Sequence, residues 1–178
     1  MKRIVAALAL AACIAAPAIA ELQIGDIAPD FQVEGALAGQ RYDFHLADAL
    51  KKGPVVIYFF PAAFTQDCTL ETKMFADAIE EFSSYGATLI GVTRGNTNRL
   101  REFSARTCRN RFPVAGVSKE TVKDYKVSMA FSPGWSNRTS YVIAPDGRIT
   151  LAYSSLNPND HVRKTLDAVR ALRPADTY

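Results

Sequence analysis

Six consecutive residues, Val55-Val56-Ile57-Tyr58-Phe59-Phe60, are all β-branched or aromatic. Such side chains crowd the preceding turn of a helix but fit the pleat of a strand. A strand with one wet face alternates apolar and polar residues; this run does not, so it reads as a strand covered on both faces. That burial requires a sheet with helices packed on either side. Pro54 opens the run and Pro61 ends it, since neither can donate to a sheet ladder.

Beyond a loop over residues 62–65, Leu70, Met74, Phe75, Ala78, Ile79 and Phe82 recur at three-to-four spacing. The spacing predicts an amphipathic helix over 66–84 that stops near Gly86, with Cys68 in its first turn. Residues 87–92 read as a second buried strand, 97–109 as a second helix and 114–117 as a short third strand. Upstream, an uncapped leading segment over 22–30 runs into Phe31-Gln32-Val33 and Tyr42-Asp43-Phe44, whose alternation around residues 35–40 predicts a small hairpin. Downstream, strand-like runs over 140–144 and 148–153 flank Pro145-Asp146-Gly147, a hairpin turn. A closing helix begins near Pro158 and buries Val162, Leu166, Val169 and Leu172. This order resembles the thioredoxin fold: an α/β domain with an amino-terminal extension and a central mixed sheet flanked by helices. A length of 178 residues with 48% hydrophobic content suits one such domain.

The first twenty residues are of another kind. Lys2 and Arg3 precede an apolar run over 4–16, and Ala18-Ile19-Ala20 forms a small-residue cleavage pattern before Glu21. They read as a secretory signal peptide (1–20), which leaves 21–178 as a periplasmic or secreted domain. The run is too short for a spanning helix. A second reading takes Leu10-Ala11-Ala12-Cys13 as a lipobox, which would leave the protein anchored to a membrane by a lipid on Cys13.

Without Lys2 and Arg3 the 21 basic residues become 19 against 18 acidic ones, a balance of +1. Nothing in that surface suggests a nucleic-acid face or a polybasic membrane patch. Loss of Cys13 leaves Cys68 and Cys108, in a compartment where disulfides persist.

A cysteine reacts as its thiolate, so a site for thiol chemistry must lower the thiol pKa below about 8.5. The start of a helix does this with unpaired backbone N–H groups and the positive end of the dipole. A small buried hydrophobe is the other reading of Cys68, and the strand, proline, short loop and helix start around it argue against that.

The segment Phe60-Pro61-Ala62-Ala63-Phe64-Thr65-Gln66-Asp67-Cys68, continued by Thr69-Leu70-Glu71, resembles the peroxiredoxin signature Pro-x-x-x-Thr-x-x-Cys that follows a buried strand. Asn137-Arg138-Thr139-Ser140-Tyr141-Val142-Ile143-Ala144-Pro145-Asp146-Gly147 is similar to the family's downstream arginine segment, which makes Arg138 the matching residue. The resemblance runs over about residues 22–172. It implies a thiol peroxidase for hydrogen peroxide and organic hydroperoxides, acting as a monomer or homodimer and needing neither cofactor nor metal. In that scheme the Cys68 thiolate attacks one peroxide oxygen and Arg138 takes up charge on the departing oxygen, a task suited to a fixed, permanently charged fork. Thr65 would bridge thiolate and substrate through its hydroxyl, or cap the helix, or both. Pro61 would wall the pocket, or merely end the strand.

The oxidised sulfur would be a sulfenic acid that condenses with a second thiol. Cys108, 40 residues on and in the helix predicted over 97–109, is the remaining candidate. This placement resembles the peroxiredoxin Q and bacterioferritin comigratory protein branch; where other members carry the partner five residues after the first cysteine, this chain has Lys73. The resulting disulfide would be reduced by a thioredoxin-like or other dithiol donor. A structural Cys68–Cys108 disulfide and a spectator thiol are the other readings of Cys108; two helix-borne cysteines would need local unwinding to bridge. His45 and His161 are far apart, have no cysteine at ligand spacing, and read as surface or core histidines. A thiol-disulfide oxidoreductase would need cysteine at Glu71, and a copper-delivery module of this fold would need it at Thr72.

Overall fold

In a computed structural model that describes residues 21–173, the central strand lies inside a seven-stranded mixed sheet with helices on both faces. Strand β1 (Gln32–Leu37) and strand β2 (Gln40–His45) form the amino-terminal hairpin, followed by helix α1 (Leu46–Leu50). The buried run is β3 (Val55–Phe59), every residue of it buried. Helices α2 (Gln66–Asp77) and α3 (Ile79–Ser84) lead to β4 (Thr88–Thr93), and α4 (Leu100–Arg106) leads to β5 (Val114–Gly116). Helix α5 (Lys119–Asp124) and the small pair β6 (Ser128–Met129) and β7 (Ser132–Ser136) precede the hairpin β8 (Thr139–Ile143) and β9 (Ile149–Ser154). Helix α6 (His161–Ala171) closes the fold.

The sheet order is β2-β1-β5-β4-β3-β8-β9, with β3 parallel to β4 and antiparallel to β8. Alternate residues of β3 feed two cores. Val56 and Tyr58 join Phe75, Phe82, Phe103, Leu166 and Val169 under α2, α3, α4 and α6. Val55, Ile57 and Phe59 join Leu46, Ala49, Val122 and Tyr125 under α1 and α5. The thioredoxin-like architecture expected from the element order is thus present.

Several local expectations need correction. The helix predicted over 66–84 breaks at Ala78 (φ −91°, ψ 0°) into α2 and α3. Of the predicted stripe, Phe75, Ile79 and Phe82 are buried and Met74 and Ala78 pack against the core, but Leu70 is 46% exposed, and Cys68, Glu71 and Thr72 are buried in addition. Hydrophobic periodicity cannot see polar groups whose partners lie elsewhere; Thr72 Oγ1 meets the Tyr58 hydroxyl at 3.1 Å. The helix predicted over 97–109 is a 3₁₀ turn (Thr97–Arg99) followed by α4, which ends at Arg106. The chain closes there through Cys108 N–H donating to Phe103 O at 3.1 Å, with Arg109 (φ 52°) and Asn110 (φ 60°) left-handed. Cys108 therefore lies just beyond the helix rather than in it.

In the first hairpin the turn is Ala38-Gly39, both at positive φ, rather than residues 35–40. Gly35 belongs to β1 opposite Ala115, where a Cβ would stand 2.5 Å from the Val114 carbonyl oxygen. Among the described residues no helix is long and apolar enough to cross a membrane. The expected signal peptide, residues 1–20 with Cys13, lies outside the described residues.

Candidate active site

The loop leaving β3 is fixed by the neighbouring strand before it delivers the helix. Phe60 N–H donates to Val92 O at 3.0 Å, Thr93 Oγ1 donates to Pro61 O at 3.0 Å, and Ala63 N–H donates to Gly95 O at 3.1 Å. Gly95 permits this approach: a Cβ there would sit 2.4 Å from Pro61 O. Phe64 takes the left-handed conformation (φ 65°), which costs a non-glycine residue on the order of 1 kcal/mol. Its ring is held edge-on to Phe103 at 5.1 Å and under the Arg99 guanidinium at 4.5 Å.

Thr65 occupies the N-cap position of α2, and its carbonyl accepts from Thr69 N–H at 2.9 Å. Its hydroxyl does not cap the helix. It donates to Ala62 O at 3.0 Å and lines the cavity in front of Cys68. Pro61 both follows the end of β3 and lines that cavity of about 340 Å³, together with Asp67, Cys68, Arg138 and Leu156. Cys68, the third residue of α2, is 1% exposed.

Arg138 enters from the strand next to β3. Phe59 pairs with Thr139, and the Ser136 hydroxyl donates to Phe60 O at 2.9 Å, so the residue before β8 sits beside the loop that carries Pro61. Its guanidinium makes three donations: Nε to Leu156 O at 3.0 Å, Nη1 to the Glu71 carboxylate, and Nη2 to Cys68 Sγ at 3.5 Å. Only 3% of Arg138 is exposed and none of Glu71. Cys68 and Glu71, three residues apart on one helix face, thus share one cation.

Burial pushes the Glu71 carboxyl up to about 8, with the Arg138 charge opposing the rise. Its Oε1 has no hydrogen-bond partner among the described residues. That oxygen lies 3.6 Å from Nδ1 of His161, a ring fully buried at the start of α6 whose pKa burial lowers to about 4. The sequence pattern marked neither Glu71 nor His161 as part of the site; the three-residue step from Cys68 to Glu71 was the available signal.

Cys108 is not in this constellation. It is fully buried in the same apolar cluster as Cys68, with Tyr58, Phe60 and Phe103, and both thiols are free. Burial pushes the Cys108 thiol well above its ordinary range. His45 stands elsewhere, at the end of β2, bonded to Asp30 at 2.8 Å and Asp48 at 3.0 Å. Beyond the Arg138 end of the cavity runs a second groove of about 500 Å³, which shares Arg138 and Leu156 with the first and adds Met129, Ala130 and Phe131. Phe131 is 97% exposed and Leu156 69%.

Likeness to known proteins bears on this arrangement. The model of the AhpC/TSA family matches residues 24–152. A peroxiredoxin bcp of Helicobacter pylori is 26% identical over 154 residues, 84% of this chain and 99% of that protein. The chloroplastic peroxiredoxin Q of Suaeda salsa is 29% identical over 126 residues, 68% of this chain and 58% of that protein. Among solved structures, the peroxidoxin BcpB of Mycobacterium tuberculosis superposes with a TM-score of 0.76 at 27% identity, over 86% of this chain and 99% of that one.

The raised carboxyl has a consequence for stability. Glu71 binds its proton more tightly folded than unfolded, so its contribution is complete below its ordinary value of 4.5 and is lost as pH rises through about 8. Urea unfolding followed between about pH 5 and about pH 9 should show the wild type losing on the order of a few kcal/mol more than Glu71→Gln. Parallel curves for the two proteins would contradict the buried, proton-holding carboxyl.

Proposed function

Because the chain belongs to the AhpC/TSA family of peroxiredoxins, which are thiol-dependent peroxidases, we propose that Cys68 is the residue oxidised by peroxide and Arg138 the group that receives the charge it displaces. The observation that carries this reading is the Arg138 guanidinium, buried and 3.5 Å from Cys68 Sγ at the wall of a cavity large enough for a hydroperoxide.

The Cys68 thiolate attacks the terminal oxygen of the hydroperoxide; the S–O bond forms as the O–O bond breaks. Sulfur is oxidised to a sulfenic acid, and the departing oxygen leaves as water or an alcohol after taking a proton. Negative charge moves from sulfur to that oxygen, within reach of donors that are already in place and already dry. The Thr65 hydroxyl, whose proton is committed to Ala62 O, keeps lone pairs to accept from the incoming hydroperoxide O–H. Pro61, without an N–H, walls the pocket. An organic hydroperoxide has room for its carbon chain in the apolar groove that shares Arg138 and Leu156 with the cavity.

Cys108 resolves the sulfenic acid: its thiol displaces water and leaves a Cys68–Cys108 disulfide, which a thioredoxin-like or other dithiol donor reduces. Both cysteines border one cluster, and the turn after α4 that carries Cys108 is anchored outside by exposed ion pairs, Arg111 with Glu80 at 2.8 Å and Arg109 with Asp77, which are cheap to break. The domain works after export, its first residue Glu21; mass spectrometry of the mature protein should find that terminus unmodified, and a lipidated Cys13 would replace this reading with the anchored one.

Stopped-flow mixing of the reduced protein with hydrogen peroxide should oxidise Cys68 at least about a hundredfold faster than a free thiol. Cys108→Ser should keep that step and stop donor-linked turnover. A rate no greater than the free thiol's would remove Cys68 from its role, and unchanged turnover in the variant would remove Cys108 from its own.

A further inference from the structure

His161 opens α6 directly behind the Glu71–Arg138 pair, and both of its ring nitrogens are engaged. Nε2 lies 3.0 Å from the carbonyl oxygen of Ser155, which can only accept, so the ring proton is assigned to Nε2. Nδ1 of the neutral ring is then an acceptor, and the Ser140 hydroxyl donates to it at 2.8 Å. The segment this ring holds is the one that orients the guanidinium. Ser155 N–H donates to Arg138 O at 3.1 Å, and the adjoining Leu156 carbonyl takes Arg138 Nε at 3.0 Å. One short stretch of chain therefore touches both the backbone and the side chain of Arg138, and His161 ties that stretch to β8 through Ser140.

We propose that His161 is a positioning residue for the peroxide reaction: its neutral ring, held by Ser140 and Ser155, fixes the Leu156 carbonyl and leaves Glu71 to Arg138 alone, so that the guanidinium is aimed at Cys68. The inference rests on Cys68 and Arg138 being the reacting pair. Neutrality matters because of what faces the ring. Glu71 approaches from α2, Arg138 and Ser140 from β8 and its leading residue, the Tyr153 ring from β9 with centroids 4.8 Å apart, and Asp160 from the turn before α6. A second ring proton would place an N–H against Glu71 Oε1, the oxygen now without a partner, and set a new cation next to Arg138. The imidazolium would then repel the Arg138 guanidinium and draw on the Glu71 oxygen that the neutral ring leaves free. Burial, helped by the Arg138 charge and opposed by the Ser155 carbonyl and Asp160, keeps the ring neutral down to about pH 4.

The test measures the second-order rate of Cys68 oxidation by hydrogen peroxide, with thermal melting as the check on folding. His161→Phe keeps a flat ring but loses both hydrogen bonds, and should react roughly ten to a hundredfold more slowly, as expected when a charged group near the reacting atoms is misplaced. His161→Gln can still donate to Ser155 and should recover most of the rate. Since glutamine cannot be protonated, the wild type should lose rate near pH 4 beyond the loss set by protonation of Cys68, and the glutamine variant should show the Cys68 loss alone. A folded His161→Phe protein reacting at the wild-type rate would overturn the proposal, as would a glutamine variant whose acid limb superposes on that of the wild type with no component near pH 4 removed; the latter decides the matter if the phenylalanine variant fails to fold. A wild-type protein that reacts no faster than a free thiol would fail the peroxidase reading itself, whereas these variant results fail only the role of His161.

Discussion

One guanidinium, shut away from water, is shared between a sulfur, a carboxylate and a backbone carbonyl, and the rest of the functional end is arranged so that it stays there. Arg138 is 3% exposed and Glu71 wholly buried, so neither group is hydrated, and burial favours the protonated form of the Glu71 carboxyl. Burying the guanidinium costs several kcal/mol of desolvation, which is offset only with good geometry and a full set of hydrogen bonds. The carbonyl of Leu156 supplies one such bond and Cys68 Sγ the other. The arrangement is better understood as a positioning device than as a source of stability: with one cation between two potential anions, negative charge can move from sulfur to a departing oxygen without the protein having to reorganise.

The fold brings the partners together by strand adjacency. Cys68 follows β3 through a loop pinned to β4 at Gly95, and Arg138 precedes β8, the antiparallel neighbour of β3 on its other side. Residues 70 positions apart therefore meet at one end of the sheet. The same end receives α6 and the segment before it, which contribute the Leu156 carbonyl and His161. Cys108 lies in the apolar core that Cys68 also joins. Its sequence neighbours close α4 with left-handed residues, so the resolving role proposed for it would need that turn, tied down by surface contacts, to open.

How much of this could be read from the sequence follows from what kind of signal each part leaves. The run over 55–60 announced a strand buried on both faces, and the three-to-four apolar spacing after it announced a helix with Cys68 in its first turn; both are local patterns. Arg138 was legible through its segment's resemblance to a family motif, since no periodicity links it to Cys68. The inner face of α2 was misjudged at Leu70 because hydrophobic spacing counts apolar residues, while Glu71 and Thr72 are admitted by partners on Arg138 and Tyr58. Ser140 and His161 were invisible for the same reason: a buried polar network is defined by residues distant in sequence, each unremarkable alone. The short elements over 119–136 carry too few residues for a period to register.

Arg138 matters here as a fork rather than as a charge. Lysine at that position would keep the charge but could not serve Leu156 O, Glu71 and Cys68 at once. The most direct measurement is the peroxide oxidation rate of Cys68 in Arg138→Lys, made on protein whose circular dichroism matches the wild type. The fork predicts a loss of at least about a hundredfold, and a folded variant within about twofold of the wild type would contradict it.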